Sequence, residues 1–141
     1  MAHLTTKNGE LLLAFPKGAK ANSNKKVIHL LKDITNSDQE YAITITVDGD
    51  YNIKNVRMVG IGTYNYTKVS VRTVIKGAIT DSAFGLIFVH NHTFGNLNPS
   101  KADTKFVKKL IKIGKYMDIE ICDSLIIHGN RWKSMLKKEK L

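Results

Sequence analysis

The sequence predicts one α/β (α+β) domain in which helices pack on a β-sheet. Its 141 residues fall within the usual size of a single domain. Segments that alternate apolar and polar residues are interspersed with segments that have the period of an amphipathic helix. Gly85–Val89 is almost wholly apolar, which is typical of a central strand covered on both faces.

The N-terminal half is predicted to contain a helix followed by a hairpin. A basic loop at 17–26 precedes a helical pattern that begins at Val27 and ends near residue 38. Tyr41–Val47 alternates and is rich in β-branched residues, so it predicts a strand whose odd-numbered side chains share one face. The Asp48-Gly49 pair is a hairpin signal. The short apolar run at Leu11–Phe15 fits either a strand or a segment packed on the body of the domain.

The C-terminal half is predicted to alternate helices and strands. The helix that begins at Ser100 has an apolar side made of Ala102, Phe106, Val107, Leu110, Ile111 and Met117. We predict strands at Val56–Ile61, Gly85–Val89, Asp118–Asp123, Leu125–Ile127 and Arg131–Leu136, a helix at Val69–Ala83 and a polar loop at His90–Asn98.

The composition limits the classes of protein to which the chain can belong. A single cysteine excludes an internal disulfide framework and a cysteine-only zinc site. No apolar run reaches the ~20 residues of a membrane helix, and the first residues lack the pattern of a secretory signal. We therefore expect a cytoplasmic protein without membrane contact.

The chain is strongly basic, with a net charge of +10. Lys105, Lys108 and Lys112 fall on the polar side of the helix that begins at Ser100. These lysines fit two interpretations, a solvated helix face or a surface that follows a phosphate backbone. DNA contact through Lys105, Lys108 and Lys112 therefore remains one of two expectations.

The residues that indicate chemistry follow the apolar strand. His90 and His92, two positions apart at the end of a strand, point to the same side, so both imidazoles can converge on one metal ion. Asp103 lies in the first turn of the next helix. Two neutral imidazoles and one carboxylate are ligands that Zn²⁺ accepts, and they leave a fourth position for water, as in a catalytic site.

A structural interpretation competes with this one. Ser100 and Asp103 have the spacing of a capping box, in which the serine caps the helix and the acid binds the N-cap amide. Considered alone, this pair favours capping, and an isolated His-x-His is usually unremarkable. Their combination favours a metal site, because an apolar strand seldom ends in two histidines whose ring nitrogens lack partners.

The stretch from Val89 to Asp103 resembles the signature of the JAMM (MPN-plus) metalloproteases, and most closely that of the RadC-type branch. The family pattern is His-x-His, seven residues, then Ser-x-x-Asp. The similarity covers about residues 38–136. It implies a cytidine-deaminase-like JAB/MPN fold with a mixed sheet and flanking helices.

The resemblance also implies roles for individual residues. In the family, the two histidines and the aspartate bind Zn²⁺, which places His90, His92 and Asp103 in the metal site. The glutamate before the first strand of the family domain shuttles the proton, and Glu40 matches it. The serine, here Ser100, assists the oxyanion.

Three features depart from the family pattern. Thr93-Phe94 replaces the usual Pro-Ser, and Ser124 replaces a histidine that commonly follows the aspartate of a later strand. The N-terminal helical region is absent or reduced to residues 1–37. We therefore divide the chain into a basic N-terminal segment (1–37), a RadC-type JAB/MPN domain (38–136) and a basic tail (137–141).

The function expected from the resemblance is a zinc-dependent peptidase or isopeptidase that acts on a protein or peptide substrate. The alternatives are a nucleic-acid-associated accessory protein related to DNA repair, or a zinc-stabilised scaffold without turnover. The sequence leaves the substrate and the oligomeric state open.

Overall fold

A computed structural model describes residues 4–35, 38–61, 69–93 and 96–136. Within these ranges, seven strands form one mixed sheet and three helices cover it, which confirms the predicted fold class. The strands are β1 (Leu4–Lys7), β2 (Glu10–Leu13), β3 (Tyr41–Val47), β4 (Ile53–Ile61), β5 (Gly85–Asn91), β6 (Glu120–His128) and β7 (Arg131–Ser134). The helices are α1 (Asn24–Thr35), α2 (Val71–Thr80) and α3 (Lys101–Tyr116).

The sheet has the strand order β1-β2-β4-β3-β5-β6-β7. Only β5 and β6 run parallel, and α3 connects them. Strands β3 and β5, which lie at the centre, pair antiparallel from Val47↔Gly85 to Ala42↔His90. The carboxyl end of β5 therefore lies beside the start of β3, and this juxtaposition brings segments about 50 positions apart in the sequence to the same edge.

Two apolar clusters cover the two faces of the sheet. On one face α1 packs on the odd-numbered side chains of β3, Ile43, Ile45 and Val47, as the alternation predicted. On the other face α2 and α3 pack on even-numbered residues such as Ala42 and Phe88. Because successive side chains of a strand point to opposite faces, the odd-numbered and even-numbered residues of a strand pack against different helices.

Several predicted boundaries are wrong, and each error has a physical reason. Strand β5 extends through Asn91 rather than ending at Val89, because parallel β6 continues alongside it to Ile127. The two strands predicted between Asp118 and Ile127 are one, β6. Helix α2 is shorter than predicted, because Ser70 caps its start and Asp81 ends it.

Other differences concern the ends of elements. The helix predicted from Val27 begins at Asn24, and the strand predicted from Val56 begins at Ile53. The apolar run at Leu11–Phe15 forms strand β2, which pairs with β4 and with the unpredicted β1. The interpretation of 1–37 as a separate segment stays a prediction, as does the fraying of the tail 137–141. That tail, Phe94 and the predicted helix end at residues 36–37 lie outside the described residues.

Candidate metal centre

The centre forms where the end of β5 meets the first turn of α3. Ser100 has extended backbone angles and its hydroxyl oxygen accepts a hydrogen bond from the Asp103 N–H at 3.0 Å, so the helix starts at Lys101. The inward positions of α3 are Asp103, Phe106, Val107, Leu110 and Gly114. Asp103 thus takes the buried place that the apolar pattern had assigned to Ala102, which is exposed, as is Met117.

Three side chains converge at this point. The Nε2 atoms of His90 and His92 are 3.2 Å apart. The Nε2 atom of His90 lies 3.2 Å from Oδ1 of Asp103, and that of His92 lies 3.4 Å from Oδ2. The described residues contain one group of histidine, cysteine or acidic side chains whose ligand atoms lie close enough together to hold a metal ion, and it consists of these three.

The spacing of the possible ligand atoms is compatible with a zinc ion. Ligand atoms ~2.0–2.1 Å from a tetrahedral Zn²⁺ are about 3.3 Å from one another, because the edge of a tetrahedron is about 1.6 times its centre-to-corner distance. The two Nε2 atoms are separated by 3.2 Å, and each lies 3.2 or 3.4 Å from one of the two Asp103 oxygens, so the contacts are of about that length. The donor set of two imidazoles and one carboxylate also suits zinc chemically.

Helix capping and a role as a metal ligand are compatible in Asp103. Its Oδ2 accepts the Ser100 N–H at 2.8 Å and completes the capping box. A carboxylate offers two oxygens with about four lone-pair positions, so the capping bond leaves capacity directed at the histidines. Asp103 can therefore cap the helix, as one interpretation of the sequence predicts, and also face the two histidines, as the other predicts.

A hydrogen bond fixes the tautomer of His92. Its Nδ1 lies 2.7 Å from the carbonyl oxygen of Asn96, which can only accept, so Nδ1 carries a proton. In the neutral ring the lone pair is then on Nε2, the atom that faces His90 and Asp103.

The backbone of His92 is also held in place. Its N–H donates to the Ile127 carbonyl at 2.9 Å, and its carbonyl accepts from Nδ1 of His128 at 2.7 Å. Both contacts come from β6, the parallel neighbour of β5.

Glu40 lies beside the cluster but outside the ligand set. Burial raises the pKa of its carboxyl above the ordinary value of 4.5, and the negative charge of Asp103 acts in the same direction. The two histidines and a hydrogen bond from the Thr93 N–H oppose this rise without cancelling it. A raised pKa next to side chains that could hold a metal ion is a feature often found in functional sites.

The predicted lysines occupy a different surface. Lys105, Lys108 and Lys112 are exposed on α3, away from the ligand atoms. Two of them, Lys105 and Lys108, line a cleft of about 430 Å³ that also borders Ser100. Ser124, which replaces the family histidine, is fully buried, and its hydroxyl lies 3.6 Å from the sulfur of Met135.

Three supporting residues were missed by sequence reasoning: Asn91, Asn96 and His128. Asn91 and His128 bind partners in distant segments of the chain, whereas Asn96 binds His92 through its main-chain carbonyl, which its residue type does not reveal. The only sequence signal for Asn91 is its place between two histidines, and that position does not reveal what it binds.

Comparison with known protein families identifies the chain. The RadC-like JAB domain family matches residues 21–141. The chain belongs to this family.

Curated relatives agree with this assignment. A UPF0758 protein of Chloroflexus aurantiacus is 34% identical over 109 residues, which cover 77% of this chain and 48% of the relative. A UPF0758 protein of Methanosarcina mazei is 34% identical over 117 residues, 82% of this chain and 51% of that protein. One from Finegoldia magna is 35% identical over 105 residues, 74% and 47% of the two chains. The RadC-type chain described here thus spans about half the length of these relatives.

None of the helices in the described ranges has the length and apolar character needed to cross a membrane.

Proposed function

We propose that this RadC-type domain is a zinc-dependent hydrolase of peptide or isopeptide bonds that acts in the cytoplasm. The observation that carries the proposal is the convergence of His90, His92 and Asp103, whose nitrogen–nitrogen and nitrogen–oxygen contacts of 3.2 to 3.4 Å are about the length of the edge of a zinc tetrahedron. Three protein ligands leave one position open, which is the arrangement of catalytic zinc sites. When bound, Zn²⁺ supplies Lewis acidity and lowers the pKa of water to about 7.

The residues of the chain then divide the remaining work. Glu40 accepts the proton of the attacking water and returns it to the leaving amine, a task suited to its raised pKa. Ser100 donates its hydroxyl proton to the oxyanion that develops on the scissile carbonyl. This donation is compatible with helix capping, because the Asp103 N–H uses only a lone pair of the Ser100 oxygen.

The test is the variant Glu40→Gln, which keeps the shape of the side chain and removes its basic carboxylate. The zinc content and melting temperature should stay at the wild-type level, while hydrolysis of a fluorogenic peptide pool and of a lysine isopeptide should fall ~100-fold or more. Loss of zinc from Glu40→Gln would make the residue a ligand or a support for the ligands. Hydrolysis at the wild-type rate would place the base elsewhere.

A second candidate function is DNA contact through α3. Its observation is the row of Lys105, Lys108 and Lys112, which are exposed at intervals of three and four residues and so share one face of the helix. The row is about 10 Å long, from seven residues at 1.5 Å each. A row of this length can face successive phosphates of one strand.

Charge reversal tests this candidate. Changing Lys105, Lys108 and Lys112 to Glu should weaken binding of duplex DNA, and each lost phosphate contact should reduce the salt slope by about one unit. The control is the triple reversal of Lys25, Lys26 and Lys76, which are also exposed and alter the net charge equally. Equal slopes for the two triple variants would leave the α3 lysines as a solvated face.

A further inference from the structure

Asn91 separates the two candidate ligands but faces away from them. It is the last residue of β5, and alternation along the strand points its side chain opposite to His90 and His92. The residue is 2% exposed. A buried amide at this position needs hydrogen-bond partners, because an unsatisfied polar group in the interior costs free energy.

The partners of Asn91 are the main-chain groups on either side of Glu40. Oδ1 of Asn91 accepts the Tyr41 N–H at 2.6 Å, and Nδ2 donates to the Gln39 carbonyl at 2.8 Å. The orientation of the amide is fixed, since a main-chain N–H can only donate and a carbonyl can only accept. One side chain thus holds both peptide groups that flank Glu40.

This contact begins where the regular sheet stops. The last pair of the β3–β5 ladder is Ala42↔His90, so the main chain at residues 39–41 lies beyond the hydrogen bonds between β3 and β5, while Tyr41 still pairs with Ile61 of β4. The Asn91 side chain supplies the missing donor and acceptor there.

We propose that Asn91 is a positioning residue that sets the place of the Glu40 carboxylate relative to the metal centre. The inference rests on the proposed function, in which Glu40 transfers the proton of the attacking water. With both neighbouring peptides held, the side chain of Glu40 starts from a fixed Cα and extends toward the cluster, where the Thr93 N–H binds its carboxylate. Positioning matters at this scale, since a shift of ~1 Å can cost about 100-fold in rate.

The test compares Asn91→Ala with Asn55→Ala. Asn55 is a matched control, because its side-chain amide also joins two segments of the fold, donating to Asp81 at 2.9 Å, and it lies outside the metal centre. We expect Asn91→Ala to keep stoichiometric zinc and to lower kcat for peptide hydrolysis ~10- to 100-fold with little change in KM. Asn55→Ala should lower the melting temperature and leave kcat at the wild-type level.

A double-mutant cycle separates positioning from general destabilisation. In a Glu40→Gln background, Asn91→Ala should change kcat by less than about twofold, since the group it positions has already lost its function. If Asn91→Ala lowers kcat as much in that background as in the wild type, the proposal is overturned.

Two measurements test, without any hydrolysis assay, whether Asn91 holds the main chain beside Glu40. The amide of Tyr41 should exchange with solvent about tenfold faster in Asn91→Ala, the size expected for loss of one hydrogen bond. A crystal structure of the variant should show the Glu40 carboxylate displaced from its wild-type place. Wild-type exchange at Tyr41, or an unmoved carboxylate, would overturn the proposal, whereas an inactive wild-type protein would overturn only the hydrolase function.

A second variant guards against failure to fold. Asn91→Asp is nearly isosteric, keeps an acceptor for the Tyr41 N–H and, when ionised, replaces the donor to Gln39 by an oxygen that the Gln39 carbonyl repels. Its Tyr41 amide should remain protected while kcat falls. A kcat equal to that of the wild type would overturn the proposal, because Asn91 would then not need to hold both peptides that flank Glu40.

Discussion

Two buried polar clusters lie on the face of the sheet that α2 and α3 cover, and they are satisfied in different ways. In the first, Asp81 accepts hydrogen bonds from the Arg57 guanidinium, the Thr46 hydroxyl and the Asn55 amide. Glu10 accepts a further bond from Arg57 at 2.8 Å. Every polar contact of this cluster joins a donor hydrogen to an acceptor.

The second cluster is the candidate metal centre, where atoms that can each act as a metal ligand face one another. The Nε2 atoms of His90 and His92 and the oxygens of Asp103 lie 3.2 to 3.4 Å apart. Such an arrangement can be held by hydrogen bonds from protonated ring nitrogens or by a metal ion bound between the atoms. The comparison teaches that burial of polar groups alone does not indicate a metal site, whereas the convergence of several metal-ligand atoms on one point does.

Removing a ligand should have the largest effect. His92→Ala or Asp103→Ala should weaken zinc binding more than ~100-fold, since changes to residues that only hydrogen-bond to a ligand already cost about 10- to 100-fold. Elemental analysis after dialysis against a chelator should find about one zinc per wild-type chain and almost none in either variant. Asp81→Asn, a change in the charge-paired cluster, is the control and should retain zinc. Stoichiometric zinc in His92→Ala/Asp103→Ala would rule out the metal site.

Breaking the charge-paired cluster should reduce stability and spare zinc. Asp81→Ala leaves the guanidinium of Arg57, whose side chain is 4% exposed, with Glu10 as its remaining acid. We expect a loss of ~3 kcal/mol in the free energy of unfolding, at the lower end for a broken buried ion pair. Urea denaturation measures it. A loss below about 0.5 kcal/mol, the level of ordinary surface changes, would show that the cluster adds little stability.

The same cluster predicts a dependence of stability on pH. Burial by itself raises the pKa of Asp81, but the hydrogen bonds from Arg57, Thr46 and Asn55 outweigh it and lower the pKa below 3.8. A lowered pKa stabilises the fold above the unfolded-state pKa of ~3.9, and this contribution is lost as pH falls through the folded-state value.

Denaturation midpoints between about pH 6 and about pH 2 should therefore fall less steeply in Asp81→Ala than in the wild type. Asp48, whose pKa is also lowered, is present in both proteins, so the difference between them isolates Asp81. If the denaturation midpoints of the two proteins change with pH in parallel, Asp81 is not held ionised by its partners.

The smallest effect should come from the helix cap at the metal centre. Ser100→Ala should cost about 1 kcal/mol of stability, because the Asp103 N–H loses its acceptor. Ser70→Ala is the matched control, since Ser70 caps α2 through the Thr73 N–H at 3.1 Å. Both variants should lose similar stability in thermal denaturation, but only Ser100→Ala should lose hydrolysis. Equal hydrolysis in the two variants would assign Ser100 to capping alone.

The sequence by itself determined the elements whose period is long and regular. The alternation of Tyr41–Val47 identified both the strand and its buried face, because a strand directs successive side chains to opposite sides. The His-x-His pair at a strand end and the Ser-x-x-Asp at a helix start likewise indicated which residues converge, since local geometry decides where those side chains point.

Tertiary structure decided whatever depends on a distant partner. Strand β5 reaches Asn91 because β6 lies beside it, and Ala102 is exposed because Asp103 turns inward toward the histidines. Asn91 forms hydrogen bonds with Tyr41 and Gln39, which are 50 and 52 positions away, and no local sequence pattern predicts such a pairing. Local sequence fixes period and direction, whereas the partner of a buried polar group is set only when the sheet assembles.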